Sequence, residues 1–119
     1  MPMHELAITQ SVVETVTRRT GDARVACVRL RVGLLAGVSA DAMRFCFELV
    51  TAGTPLQGAE LDIEQPPGRA VCRSCGESFQ LGDLILLCPC GSADVELLSG
   101  RELAVASVVL AAAAQPPGT

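Results

Sequence analysis

The sequence predicts an α+β fold: two helices packed on a small mixed β-sheet, with a four-cysteine zinc hairpin inserted between two strands. Three observations carry that expectation. Apolar residues recur at helical spacing in two stretches and alternate in others. The pairs Cys72-Arg73-Ser74-Cys75 and Cys88-Pro89-Cys90 lie together in one segment. That segment follows Pro66-Pro67-Gly68, the clearest linker in the chain.

The first helix is expected over residues 5–19. Ile8, Val12 and Val16 fall at i, i+4, i+8, Leu6 and Val13 widen the stripe, and Glu14 and Arg18 are placed to pair at i, i+4. Thr20-Gly21-Asp22 ends it. From Val25 to Val32 the pattern alternates, with Ala26, Val28, Leu30 and Val32 on one face and Cys27, Arg29 and Arg31 on the other. That is a strand with one buried face. After a loop over Gly33–Gly37, Ser39 is placed to cap a second helix over 40–51, with Asp41 favourable in its first turn. Met43, Cys46, Phe47 and Val50 form its apolar face, and the run Thr51 to Pro55 stops it.

Glu60 to Glu64 alternates, with Leu61 and Ile63 inward and Glu60, Asp62 and Glu64 outward as cross-strand partners for Arg29 and Arg31. Leu84–Leu87 is a short apolar run inside the cysteine segment. Glu102 to Leu110 is rich in Val and Ala and is expected to return to the main sheet. The expected organisation is therefore an α/β layer from 1–67 and 101–110, a zinc-binding domain over 68–100, and a frayed tail over 111–119.

Composition narrows the function classes. Half of the 119 residues are apolar, enough for a core, but there is no Trp or Tyr and only three Phe. Packing must therefore rest on Val, Leu, Ile and Ala. All nine basic residues are Arg and the net charge is −4, which argues against a nucleic-acid partner because phosphate contacts need a concentrated basic surface. No run of 18 or more uncharged apolar residues points to a membrane span, and no signal-like start is seen. A cytoplasmic location is the expectation, where thiols stay reduced and paired cysteines favour metal over disulfide.

Twelve residues separate Cys75 from Cys88. Two knuckles at that spacing bring four soft ligands together tetrahedrally at small loop-closure cost, which points to zinc, the alternatives being an iron site of the same ligand count and a redox dithiol. A redox dithiol of the thioredoxin type would need its C-x-x-C at a helix N-terminus; here Gly76 follows and no helical pattern does. A one-residue spacer in Cys88-Pro89-Cys90 implies a stiffer bite. Cys46 reads as a small core residue, and nothing near Cys27 activates it.

His4 is the sole histidine, so imidazole chemistry must occur there. A terminal amine, deprotonated backbone amides and an imidazole make a square-planar nitrogen set, suited to Ni(II) or Cu(II) rather than Zn(II).

Met3-His4-Glu5-Leu6 opening an amphipathic helix, Arg29-Leu30-Arg31-Val32-Gly33, the two cysteine pairs followed by Gly91-Ser92, and the Glu102-Leu103 strand together resemble the HypA/HybF nickel-incorporation proteins. The resemblance spans roughly residues 3–110 and is most specific in the Met-His-Glu start combined with the cysteine motif. It implies a nickel metallochaperone, not an enzyme, delivering nickel to the large subunit of [NiFe]-hydrogenase with a HypB-type GTPase, and in some species serving urease maturation. It further implies nickel as transient cargo at His4, with Met3, Glu5 and the adjoining backbone contributing, and structural zinc on Cys72, Cys75, Cys88 and Cys90. A monomer or homodimer is expected.

Two departures stand out. The family pattern has two residues inside the second cysteine pair, and this chain has one. Met1-Pro2 also precedes the family's first methionine, and Pro2 has no N–H to deprotonate. Initiation at Met3 restores the usual terminus. Removal of Met1 leaves Pro2-Met3-His4, whose amine, two amides and imidazole form a four-nitrogen chelate. Intact mass is expected to show loss of Met1 or of both residues. The rival readings are a zinc-ribbon interaction module with no nickel role and a thiol–disulfide protein using Cys72 and Cys75.

Overall fold

The computed structural model describes residues 2–83 and 85–111, with side chains from His4 onward. The Ala111–Thr119 tail lies outside these beyond Ala111, and Leu84 of the apolar run does too. The elements are α1 (Pro2–Thr20), β1 (Val25–Val32), α2 (Ala40–Thr51), β2 (Glu60–Glu64), β3 (Gly68–Cys72), β4 (Ser78–Leu81), β5 (Val95–Ser99) and β6 (Leu103–Leu110). They form two three-stranded sheets, ordered β2-β1-β6 and β4-β3-β5. By contact the chain divides into one unit of residues 1–30, 38–63 and 105–119 and another of residues 31–37 and 64–104.

In the first unit α1 packs on α2. The expected stripe on α1 is rotated: Thr9, Val12, Val13 and Val16 are buried, whereas Ile8 is half-buried. The Thr9 hydroxyl tolerates burial because it donates to the Glu5 carbonyl at 2.6 Å. Glu14 and Arg18 form no ion pair, so the first helix draws its stability from its buried face. On α2 the Ser39 side chain caps the helix by accepting from the Ala42 N–H at 3.2 Å, and Met43, Cys46 and Phe47 are buried. On β1, Val28, Leu30 and Val32 face inward as expected, but Ala26 is exposed and Val25 is buried in its place, a break in alternation at the strand's start.

Arg29 pairs with Asp62 at 3.4 Å and Arg31 with Glu64 at 3.3 Å. The two pairs advance together along both strands, so β1 and β2 run parallel, as a connection through α2 requires. Hydrogen bonds from Gly33 N–H to the Glu102 carbonyl and from Ala111 N–H to the Arg24 carbonyl bracket β1 and β6 and set them antiparallel. The first sheet is thus mixed.

In the second unit β3 is central and antiparallel to both β4 and β5. Its core is Leu35, Ala70 and Leu81, with Phe79, Leu86, Val95 and Leu97 packed around them. Leu35 is held there by its N–H on the Gly100 carbonyl, and the Leu34 N–H donates to the Pro66 carbonyl. The backbones at Gly33 and Gly100 approach so closely that a Cβ at Gly33 would fall onto the Gly100 carbonyl.

Candidate metal centre

Cys72 ends β3 and Cys75 closes the turn that follows. Within it the Cys75 N–H donates to Cys72 Sγ at 3.4 Å, and the Gly76 N–H donates to the Cys72 carbonyl at 2.8 Å. The second turn repeats this with one residue removed. There the Cys90 N–H donates to Cys88 Sγ at 3.4 Å, and the Gly91 N–H to the Cys88 carbonyl at 2.8 Å. Each turn ends on a glycine with positive φ, +80° at Gly76 and +99° at Gly91, a conformation that costs other residues. The short Cys88-Pro89-Cys90 spacing therefore preserves the N–H to sulfur geometry.

The four sulfurs lie within 4.8 Å of one another. Cys72 Sγ is 3.8 Å from Cys90 Sγ, and Cys75 Sγ is 3.7 Å from Cys88 Sγ. Ligands about 2.3 Å from a tetrahedral ion are spaced at about 3.8 Å, so the quartet matches a closed four-thiolate metal site. Among the described residues no other group of three or more His, Cys, Asp or Glu side chains offers such a cluster. Cys72 and Cys88 are buried, while Cys75 and Cys90 face outward. Polar groups brace the turns across the site: Ser74 Oγ lies 2.9 Å from Ser92 Oγ, and Arg73 donates to Asp94 at 3.0 Å. These braces carry no sequence signal beyond their nearness to the cysteines.

Without a cation the thiols divide their protons unequally. The Cys75 N–H, and with it other donors around the turn, lowers Cys72 to about 6. Cys88 is pushed up to about 12: the Cys90 N–H opposes this, but burial and the neighbouring thiols outweigh it. Cys75 is raised as well, against the Glu77 N–H, by burial and the thiols of Cys72 and Cys90. Cys72 thus gives up its proton readily while Cys75 and Cys88 hold theirs, and a divalent ion on the quartet favours the thiolate form of each.

The other sequence-predicted residues lie in the first unit. His4 is exposed on the first turn of α1, and the side chain of Met3 lies outside the described residues. Glu5 is 6% exposed, which periodicity did not anticipate. Its Oε2 accepts from the N–H of Ser39, the residue capping α2, at 3.0 Å. That bond is the main cause holding its carboxyl below the usual range. The second oxygen, Oε1, is buried without a hydrogen-bond partner. Cys46 is buried and Cys27 half-buried in the first unit, and neither belongs to the quartet.

A family model described as "Hydrogenase/urease nickel incorporation, metallochaperone, hypA" matches residues 3–110. The hydrogenase maturation factor HypA of Geobacter metallireducens is 48% identical over 104 residues, covering 87% of this chain and 94% of that protein. The factor of the same name from Streptomyces avermitilis is 48% identical over 112 residues, covering 89% and 86%. In fold, the chain is similar to the solution structure of the Ni metallochaperone HypA from Helicobacter pylori, with a TM-score of 0.60 at 19% identity over 89% of this chain and 96% of that one.

Proposed function

The chain belongs to the hydrogenase/urease nickel-incorporation (HypA) family, and from that membership we propose how its residues divide the work of a nickel metallochaperone in hydrogenase maturation. The quartet Cys72, Cys75, Cys88 and Cys90 holds zinc. Its sulfur spacing and its all-thiolate donor set fit that ion, and a closed four-ligand site leaves no open position for chemistry. Zinc there contributes folding free energy to a unit whose apolar core is small.

Nickel is the cargo, bound at the Met3-His4-Glu5 start. The exposed His4 offers the imidazole, and backbone nitrogens beside it complete a nitrogen-rich set suited to Ni(II). Glu5 fits a supporting role because one carboxylate oxygen is already committed to Ser39 and the other, buried Oε1, still lacks a partner. With its imidazole exposed at one helix end, such a site can load and release, as a carrier must. The observation that carries this reading is the family match from residue 3 to 110, which takes in both the His4 start and the cysteine quartet.

The carrier acts in the cytoplasm with a HypB-type GTPase and passes nickel to the [NiFe]-hydrogenase large subunit or to urease maturation proteins. Among the described residues no helix is long and apolar enough to cross a membrane. Cells carrying His4→Ala should fail to mature hydrogenase at limiting nickel and recover when nickel is added to the medium. Normal maturation at limiting nickel would leave a zinc-ribbon interaction module as the better description.

A further inference from the structure

Among the described residues, four strands in the two sheets have an unpaired outer edge: β2, β6, β4 and β5. An open edge offers free backbone N–H and C=O groups, so proteins guard it with charge, shortness or irregularity. Three of the four follow that rule. The edge strand β2 carries Glu60, Asp62 and Glu64, β4 is 4 residues long, and β5 carries Glu96 within 5 residues. The exception is β6, with 8 residues, no charge and no proline: Leu-Ala-Val-Ala-Ser-Val-Val-Leu. Val109 and Leu110 are 40% and 51% exposed. An unguarded edge on a soluble chain is either an aggregation liability or a place where another strand adds.

A groove of about 340 Å³ runs beside this edge, between Thr15, Val16, Arg19 and Thr20 on α1 and Val105 to Val108 on β6. Its volume suits a few side chains of an entering segment. The walls are mixed, with Val16, Val105 and Val108 apolar and Thr15, Thr20 and Ser107 polar. Arg19 enters no ion pair among the described residues, and Arg18 beside it enters none either. In a chain of net charge −4, two unpaired guanidiniums in the last turn of α1 make a local basic site, and Arg19 lines the groove itself. A second copy of this chain fits poorly. Two-fold pairing of β6 with itself places the α1 helices on the same face of the joined sheet, bringing Arg19 near its own copy.

We propose that β6 and the α1–β6 groove bind an extended acidic segment of a partner protein, which adds to the sheet edge as a further strand. Main-chain hydrogen bonds along Val105–Leu110 supply affinity that is largely independent of sequence. Alternate side chains of the segment enter the groove, and a carboxylate on that face pairs with Arg19. The surface is independent of the nickel ligands and does not rest on their assignment.

The test is selection of a displayed random-peptide library on the full zinc-loaded chain, followed by amide hydrogen exchange with a selected peptide. Selected sequences should alternate β-branched residues with a fixed acidic position and slow exchange along Val105–Leu110. Arg19→Glu should weaken binding roughly five- to tenfold, as expected for reversing one solvent-facing ion pair, and a Lys-for-acid peptide should recover it. Val109→Lys, which guards the edge without touching the core, should weaken every selected peptide. The proposal is overturned by a selection that yields no binder, by sequences without an acidic position, by protection mapping elsewhere, or by indifference to Arg19→Glu. Concentration-dependent protection of β6 without peptide would overturn it too, by identifying a second copy as the occupant.

Discussion

Leu35→Ala probes how the quartet and the fold of its unit depend on each other. Leu35 is 4% exposed and packs against Ala70 and Leu81, so truncation removes buried apolar contact and leaves a cavity. Such changes cost about 2–5 kcal/mol, and the half-buried Phe79, Leu86, Val95 and Leu97 around the site can settle inward, which places the cost near 3 kcal/mol. A metal at a free concentration a thousand times its Kd stabilises the unit by about 4 kcal/mol. Metal therefore outweighs the cavity by about 1 kcal/mol. With no Trp or Tyr, intrinsic fluorescence reports little, so the assay is amide exchange at Ala70 and Val71 in the central strand β3. The predicted order from slowest to fastest is zinc-loaded native chain, zinc-loaded Leu35→Ala, metal-free native chain, metal-free Leu35→Ala. Each substitution step should be roughly hundredfold. Exchange at Ala70 that ignores both the substitution and the metal would refute the coupling of the Leu35 core to the quartet.

Three further outcomes follow from other contacts. Gly33→Ala should drive a Cβ onto the Gly100 carbonyl, disturb the Gly33–Glu102 and Leu35–Gly100 hydrogen bonds, and cost about 1–3 kcal/mol in denaturant unfolding. Glu5 has a lowered pKa when folded, so its contribution is present above the usual glutamate value near ~4.3 and is lost as pH falls through the lower folded value. The Ser39 amide shift should therefore titrate in acid in the native chain and not in Glu5→Gln. Asp62→Ala removes an ion pair whose side chains are each 52% exposed, and should change stability by under ~1 kcal/mol, less at high salt.

How much of this was legible depended on how far apart the interacting residues lie. The helix over 40–51, its Ser39 cap and the strand over 25–32 are specified by neighbours, and they appear with those bounds. The cysteine quartet was equally legible, because metal-ligand spacing is a local pattern. Burial of Glu5 was not. It depends on the N–H of Ser39, a partner 34 positions away, and a glutamate in a first helical turn ordinarily reads as a solvated charge favoured by the dipole. Leu35 was hidden for the same reason: it sits in a glycine-flanked loop, and only its hydrogen bond to the Gly100 carbonyl reveals which core receives it. The cysteine segment also holds more than a hairpin, since β5 joins β3 across a register shift between Arg69 and Ala70 that no alternation announces.

The division of metals between the two ends is tested most directly by nickel titration of zinc-loaded protein, with total metal analysis before and after. The native chain should take up one nickel per chain without losing zinc. His4→Ala should lose nickel and keep zinc, whereas Cys90→Ser should lose or weaken zinc. Undiminished nickel uptake by His4→Ala, or nickel displacing zinc from the quartet in the native chain, would contradict the assignment.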